Sequence, residues 1–352
     1  DSKFNLVFMS KKLFNNQKKI FSLIKSIIKK YPYFVIIILH EYLRNIEPYD
    51  PYIKFKEKNP KKRILKLQEN ILKLIEIIKT FGGYSIIFKK TKKNFLTETA
   101  TAFADRNNKI YLKNYKINKE IKKIKNSLIL RFKSLNFDLK KLKNINVLDA
   151  GCGPGRFTFV LSHFKPKKII GLDLSLENIK IAKKIFQRKN TEYIQGNVLN
   201  LKFKNETFDF VYSSGVIHHT SNFKKGLKEL IRVCKTNGHI YLYIYAKGGI
   251  YWEARKFMNK IMKLIPQSYT QKILDMIGMP RTRLTFLDLW YVPYEKHTSY
   301  KEISKLLKKE GIKNFKRVIS GAKYDHSTGV MKYKNIGKSI WGDGDIRLLI
   351  RK

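Results

Sequence analysis

Val147-Leu148-Asp149-Ala150-Gly151-Cys152-Gly153-Pro154-Gly155-Arg156 is the stretch that decides the fold of this chain. Ile145 to Ala150 reads as a short buried strand rich in branched apolar residues. Gly151, Gly153 and Gly155 make the turn that follows, and the apolar-periodic run Phe157 to Phe164 reads as a helix. Strand, glycine turn and helix in that order let a ligand approach the backbone closely at the helix N-terminus. The spacing narrows the ligand. A dinucleotide turn, G-x-G-x-x-G, would place its third glycine at position 156, but here that glycine comes one residue early and Arg156 takes the place. Asp149 stands two positions before the first glycine.

Downstream of the turn, strands and helices alternate, which is the sign of a parallel sheet. Lys168 to Leu174 reads as strand two, with Asp173 at its C-terminal end. Ligands of open α/β sheets sit outside the carboxyl ends of strands, so a carboxylate there can accept both hydroxyls of a ribose. The plainer alternative is that Asp173 caps the helix starting near Ser175. Glu192 to Gly196 reads as strand three and is followed by Asn197-Val198. Phe208-Asp-Phe-Val-Tyr-Ser-Ser-Gly-Val-Ile-His-His-Thr220 opens as strand four, with Asp209 at its start and a polar exit at Ser213. Leu230 to Thr236 ends a helix, Asn237-Gly238 turns, and His239 to Tyr245 is strand five. Tyr300 to Glu310 reads as a helix, and Asn314 to Ser320 and Asp345 to Arg351 as the last two, antiparallel strands.

D-x-G-x-G-x-G at 149–155 resembles motif I of the class I S-adenosylmethionine-dependent methyltransferases. The segment 208–220 resembles the F-D-x-V-x-S-x-G-V-L-H-H-T form of motif IV in the group known as the methyltransferase 11 type. The likeness is strong over 145–245 and weaker over 298–352. Thr-Asn-Gly stands at 236–238 where that family has Pro-Gly-Gly. The resemblance implies an α/β, Rossmann-like, seven-stranded, mostly parallel sheet. It implies S-adenosylmethionine as cofactor, with the turn packed on its aminocarboxypropyl arm. The implied cofactor residues are Asp149, Gly151, Gly153, Gly155, Asp173, Asn197, Val198 and Ser213. Asn197 stands where the family often has an acidic residue for the adenine amino group; its side-chain carbonyl can still accept from that donor, or it is a turn asparagine.

The rest of the chain falls around this domain. Residues 1–95 read as a helical accessory region. Leu13, Ile20, Phe21, Ile24, Ile27 and Ile28 share one helical face, and Ile64, Leu67, Ile71, Leu74, Ile75 and Ile78 another, ended by Gly82-Gly83. Between them, the proline-bearing stretch Tyr31 to Pro60 reads as irregular. Residues 96–144 form a lead-in with a small polar stretch, Thr97 to Ala104. A basic helix follows through Ile117, Ile121, Ile124, Leu128 and Phe132, expected to lie across the cofactor end. Residues 145–352 form the catalytic domain. Within it 246–297 is too long for a loop and is read as a helical insertion after strand five. It covers the acceptor pocket, with Trp290 to Tyr294 and His297-Thr298 re-entering there.

Methyl transfer from a sulfonium is an in-line displacement. The protein supplies alignment and, for an oxygen or nitrogen acceptor, a place for the departing proton. His218, His219 and His297 carry the side chain whose ordinary titration range suits that task. The pair is adjacent, so their rings are expected to point different ways, with His219 ranked ahead. No acidic partner lies at ligand spacing, so no metal site is expected. Cys152 and Cys234, the two cysteines, make neither a disulfide framework nor a zinc site and fit a reducing cytoplasm. The apolar run Tyr33 to Leu39 falls far short of the ~20 residues of a membrane helix, and no signal peptide is read at the start.

The net charge of +47 invites a nucleic-acid reading. Of the 74 basic residues 13 are Arg and 61 Lys, and the excess is spread evenly, +24 over residues 1–144 and +23 over the remainder. Lys, Asn and Ile share A/T-only codons, so base composition accounts for the bias, and Arg, the better phosphate fork, is scarce. The expected function is therefore methyl transfer to a small-molecule acceptor, a hydroxyl of a sugar or glycan precursor or similar metabolite. The alternatives are a tRNA or rRNA methyltransferase and a non-catalytic cofactor-binding partner subunit. The intact glycine turn, Asp173 and the histidine pair argue against the last.

Overall fold

The computed structural model describes residues 2–46, 59–81, 117–265, 267, 270, 290–292, 294–322 and 325–352. In chain order the elements are α1 (Ser2–Ile27), α2 (Pro32–Ile46), α3 (Pro60–Phe81), α4 (Ile117–Lys133), β1 (Asn146–Ala150), α5 (Arg156–Ser162) and β2 (Lys168–Asp173). Next come α6 (Leu176–Phe186), β3 (Thr191–Gln195), β4 (Phe208–Ser214), α7 (Phe223–Val233), β5 (Cys234–Tyr245) and α8 (Gly249–Met262). Then follow α9 (Tyr300–Lys309), β6 (Asn314–Arg317), α10 (His326–Trp341) and β7 (Asp345–Arg351). Short 3₁₀ turns stand at Leu139–Leu142 and Ile217–His219. Among the described residues no helix is long and apolar enough to cross a membrane.

The chain divides into two compact units. The first gathers residues 1–92, 247–291 and 323–344, and the second residues 93–246, 292–322 and 345–352. The first is helical, built from α1, α2, α3, α8 and α10. Its centre is a buried polar bridge. The Tyr42 hydroxyl donates to Gln17 Oε1 at 2.7 Å, and Gln68 Nε2 donates to that hydroxyl at 2.9 Å. One side chain from each of the first three helices is thereby paired, which is how buried polar groups avoid a desolvation cost. Helix α2 corrects the irregular reading of Tyr31 to Pro60 over Pro32–Ile46, while residues 47–58 lie outside the described residues. Pro32 occupies the first helical position, where its missing N–H is no loss. Val35, Ile36, Ile38, Leu39 and Tyr42 are all buried, so the helix lacks the polar stripe that would have marked its period. Helix α10, kinked at Lys334, was not anticipated either. Gly82-Gly83 and the stretch Thr97 to Ala104 lie outside the described residues.

The second unit holds a seven-stranded sheet in the order β3-β2-β1-β4-β5-β7-β6. β1 to β5 run parallel, and β7 runs antiparallel to both β5 and β6. The mostly parallel, Rossmann-like sheet is the one expected. β1 is central, with Val147, Leu148 and Ala150 at 0% exposure, as a strand covered on both faces requires. On one face Leu128 and Phe132 of α4 and Val160 and Leu161 of α5 pack with Val147, Phe210, Tyr212 and Tyr241. The first half of α4 reaches the glycine turn, since Ile121 packs beside the cluster that holds Cys152. The turn read at Asn237-Gly238 proves to be a bulge within β5. The strand starts at Cys234, Asn237 takes φ 63°, and pairing with β4 skips from Cys234 to His239. An extra loop of this kind bends a strand without ending it. At the same end Asp209 accepts from the Asn146 amide and the Lys235 ammonium. These bonds hold its carboxyl below the usual range although burial pushes it up.

Candidate cofactor and acceptor site

The site is built wholly within the second unit, at the C-terminal ends of β1, β2, β4 and β5. Gly151 takes φ 87°, and a Cβ there would stand 2.3 Å from the Val216 side chain. Glycine is therefore required twice over, by backbone conformation and by contact. The contact also seats the turn after β4 directly on the turn after β1. Gly153, by contrast, faces open space, with nothing within 4 Å of a Cβ built on it. That opening is where a ligand can meet the backbone.

Two carboxylates flank the opening. Asp149 is 2% exposed and its Oδ2 accepts the Thr158 hydroxyl at 2.6 Å. Burial raises its pKa to about 7, with the charge of Asp173 adding to the effect and the Thr158 hydrogen bond opposing it. Asp173 Oδ2 accepts the Gly153 amide at 2.8 Å, while Oδ1 accepts the Ser175 amide at 2.9 Å and Asn178 Nδ2 at 3.1 Å. Burial pushes this carboxyl up, against those three donors. Asp173 thus both ties the glycine turn to β2 and steadies the start of α6, whose cap proper is Ser175. Burial, with the charges of Asp173 and Asp149 adding, pushes the Cys152 thiol well up, and burial raises Cys234 to about 12, so neither is a ready thiolate.

The remaining cofactor candidates surround this pair. Asn197 Oδ1 accepts the Leu199 amide at 2.8 Å, the geometry of a turn asparagine. Val198 is buried beside it. Ser213, at 0% exposure, donates to the Ala150 carbonyl at 3.2 Å and so bridges β4 to β1. The residues fit S-adenosylmethionine on charge. That ligand brings a sulfonium and an ammonium, and the two desolvated carboxylates suit cations, whereas a pyrophosphate would meet them as repulsion.

The histidine turn follows β4. His218 is fully buried and His219 is 7% exposed. Their rings do not diverge as expected: the centroids are 4.1 Å apart, and the His218 ring lies 3.9 Å from that of Tyr245. The cause is the 3₁₀ turn Ile217–His219, which coils the two residues together at the end of β5. His219 Nδ1 lies 3.0 Å from the Tyr294 carbonyl. A carbonyl only accepts, so Nδ1 carries a proton, and in the neutral ring the lone pair is on Nε2. His297 is arranged differently. Its Nδ1 is 2.7 Å from the Ala246 carbonyl and its Nε2 touches Glu295 Oε1. Both of its nitrogens face oxygens of the protein. Trp290 belongs to the helical unit, where its carbonyl accepts Asn259 Nδ2. Among the described residues no group of three or more His, Cys, Asp or Glu side chains is placed to hold a metal ion.

Sequence reading missed the charged pair packed on Tyr243 of β5 and the carbonyl that holds His219. Arg347 lies over the Tyr243 ring at 3.7 Å, and the Tyr243 hydroxyl donates to Asp345 at 3.3 Å. Register could have found them, since Tyr243 pairs with Arg347 and Tyr245 with Asp345 across β5 and β7. The Tyr294 carbonyl carried no signal, because a backbone oxygen has no residue type.

Residues 148–242 match the family model described as a methyltransferase domain, of the methyltransferase 11 type. The chain is 38% identical over 101 residues to demethylmenaquinone methyltransferase of Lactococcus lactis, spanning 27% of this chain and 40% of that one. It is 32% identical over 148 residues to tRNA U34 carboxymethyltransferase of Campylobacter curvus, spanning 41% and 48%. Over 95 residues it is 34% identical to phthiotriol/phenolphthiotriol dimycocerosates methyltransferase of Mycobacterium leprae, spanning 27% and 35%. The chain thus spans less than half the length of each of these relatives. A solved Thermotoga maritima protein, described as an S-adenosylmethionine-dependent methyltransferase and possible histamine N-methyltransferase, aligns at 17% identity and a TM-score of 0.42. That alignment covers 73% of this chain and 98% of that one.

Proposed function

We propose that this chain, whose residues 148–242 are a class I S-adenosylmethionine-dependent methyltransferase domain, transfers a methyl group to an O–H or N–H of a small-molecule acceptor, with a sugar or glycan-precursor hydroxyl ahead of other metabolites. S-adenosylmethionine supplies a methyl group activated on a sulfonium. Asp149 and the turn Gly151, Gly153 and Gly155 would hold its amino-acid arm, Asp173 its ribose and Asn197 and Val198 its adenine, with Ser213 on the methyl side. With that cofactor bound, His219 Nε2 would take the proton that the acceptor's oxygen or nitrogen gives up on methylation. The single observation that carries this reading is the hydrogen bond from His219 Nδ1 to the Tyr294 carbonyl, which leaves a lone pair at Nε2. His218, enclosed between His219 and Tyr245, shapes the turn. His297 has both nitrogens turned to protein oxygens and holds structure rather than moving the proton. The two reduced, buried cysteines fit a cytoplasmic enzyme.

His219→Gln should keep S-adenosylmethionine affinity within about twofold and lower kcat by roughly 10²–10⁴-fold. The acceptor is found by mass spectrometry of metabolites and RNA from cells lacking the protein, and kcat is then measured on it. Full kcat in His219→Gln would remove the base from this reading. A second reading, tRNA as acceptor, is favoured by the charge of +47 and by the Campylobacter curvus relative. It replaces the first if the methyl mark lost from those cells lies on RNA.

A further inference from the structure

The segment Tyr294 to Thr298 lies outside residues 148–242, yet it bonds the histidine turn through Tyr294 and Lys296 and the end of β5 through His297 and Thr298. The Tyr294 carbonyl accepts from His219 Nδ1 at 3.0 Å. The Lys296 amide donates to the His218 carbonyl at 2.8 Å, and the Thr298 amide to the Tyr245 carbonyl at 3.2 Å. Thr298 bridges Ala246 in parallel, and Ser299 with Glu302 forms a capping box that fixes the start of α9 immediately after. Between these points Glu295 and His297 close on each other, with side chains only 6% and 3% exposed.

The chemistry of that pair is constrained. His297 Nδ1 faces the Ala246 carbonyl and must carry a proton. Nε2 faces a carboxylate oxygen, so one proton must also lie between Nε2 and Glu295 Oε1. The pair therefore shares a single proton, and each partner anchors the other. The consequence for His219 is direct, because the carbonyl that orients it belongs to the peptide linking Tyr294 to Glu295. Anchoring the Glu295 side chain fixes that peptide plane. In water a neutral imidazole interchanges tautomers freely, whereas a fixed carbonyl at Nδ1 selects the form with its lone pair on Nε2.

We propose that Glu295 and His297 are positioning residues: by fixing the Tyr294–Glu295 peptide they hold His219 in the tautomer that can take the acceptor's proton. The proposal rests on the reading of His219 as base, but its first readout does not. In full-length protein labelled with ¹⁵N in histidine, the His219 ring, identified by its loss in His219→Gln, shows an unprotonated Nε2. Glu295→Ala shifts it towards a mixture of both tautomers. With the acceptor in hand, the same variant lowers kcat by about 10- to 100-fold, with KM and S-adenosylmethionine affinity changed less than about threefold. Glu295→Gln restores both, because its amide can donate to Nε2 of a neutral His297 where the carboxylate needed a shared proton. If Glu295→Ala does not fold, His297→Phe, which keeps a ring packed near Tyr245, is expected to show the same tautomer mixture. An unchanged His219 tautomer in a folded Glu295→Ala or His297→Phe variant overturns the proposal. So does a Glu295→Gln variant that fails to recover the tautomer. A changed tautomer with kcat unaffected by His219→Gln instead keeps the positioning and removes the base.

Discussion

Asp149→Asn is expected to stabilise the ligand-free protein above neutral pH while weakening its grip on S-adenosylmethionine. Asp149 is 2% exposed, and burial, with Asp173 adding, raises its pKa from 3.8 to about 7. A folded-state value above the unfolded one means the fold prefers the protonated form. The associated stability is full below about pH 4 and is lost as pH rises through about 7. A displacement of roughly three pH units at about 1.4 kcal/mol each sets a ceiling of ~4 kcal/mol on the loss. Asparagine is uncharged at every pH and still offers an oxygen to the Thr158 hydroxyl. The variant should therefore exceed the wild type by about 2–4 kcal/mol in urea denaturation at pH 8, and by about 1–2 kcal/mol at pH 5. The cationic cofactor favours the ionised carboxyl, so wild-type affinity should fall by up to about tenfold per pH unit below 7 and the variant's should stay flat. Equal stability of the two proteins at pH 8, or the same pH dependence of cofactor affinity in both, would refute the argument.

The glycine turn separates folding from binding: Gly153→Ala, at φ 54° with open space around it, should cost only about 1–2 kcal/mol of stability yet obstruct the cofactor, measured by calorimetry beside thermal melting. Asp173→Ala should weaken S-adenosylmethionine binding by roughly 1.5–3 kcal/mol. Because three N–H donors lose their acceptor, it should also lower the melting temperature; unchanged affinity removes Asp173 from the site. If the charge of +47 reflects composition alone, RNA binding in a filter assay should collapse between about 50 and 200 mM salt, whereas nanomolar binding to one tRNA that survives the change promotes the RNA reading.

What the sequence made legible was whatever local spacing dictates. The glycine turn is written in residue type, since Gly151 must take φ 87° against Val216. The strand ends were visible because a parallel sheet buries both faces and leaves Asp173 and Ser213 as the first polar residues at its edge. Helix α2 was not legible, because a helix enclosed on most sides shows no amphipathic period, and Pro32 at its start and the prolines beyond its end look like breaks. The β5 bulge was not legible either, because Asn237-Gly238 forms the same local backbone in a bulge as in a hairpin, and only pairing with β4 tells them apart. The orientation of the histidines depended on Tyr294, 75 residues away and acting through its backbone, which no residue pattern encodes.

The position of one glycine and the sign of two side chains turn out to say the same thing. A turn that carries the third glycine at residue 156 leaves helix N–H groups facing a phosphate, and its strand needs no acid beside it. Here that glycine comes early, the first helical residue is Arg156, and the backbone N–H of Gly153 is already taken by Asp173. A donor that an anion would need is spent on a carboxylate, and a second carboxylate lies buried one strand away at a pKa of about 7. The site has been left with acceptors where a dinucleotide site has donors. Only a ligand that brings its own positive charge can lower the cost of ionising Asp149 there. That requirement, rather than the glycines by themselves, is what favours a sulfonium cofactor in the proposed site.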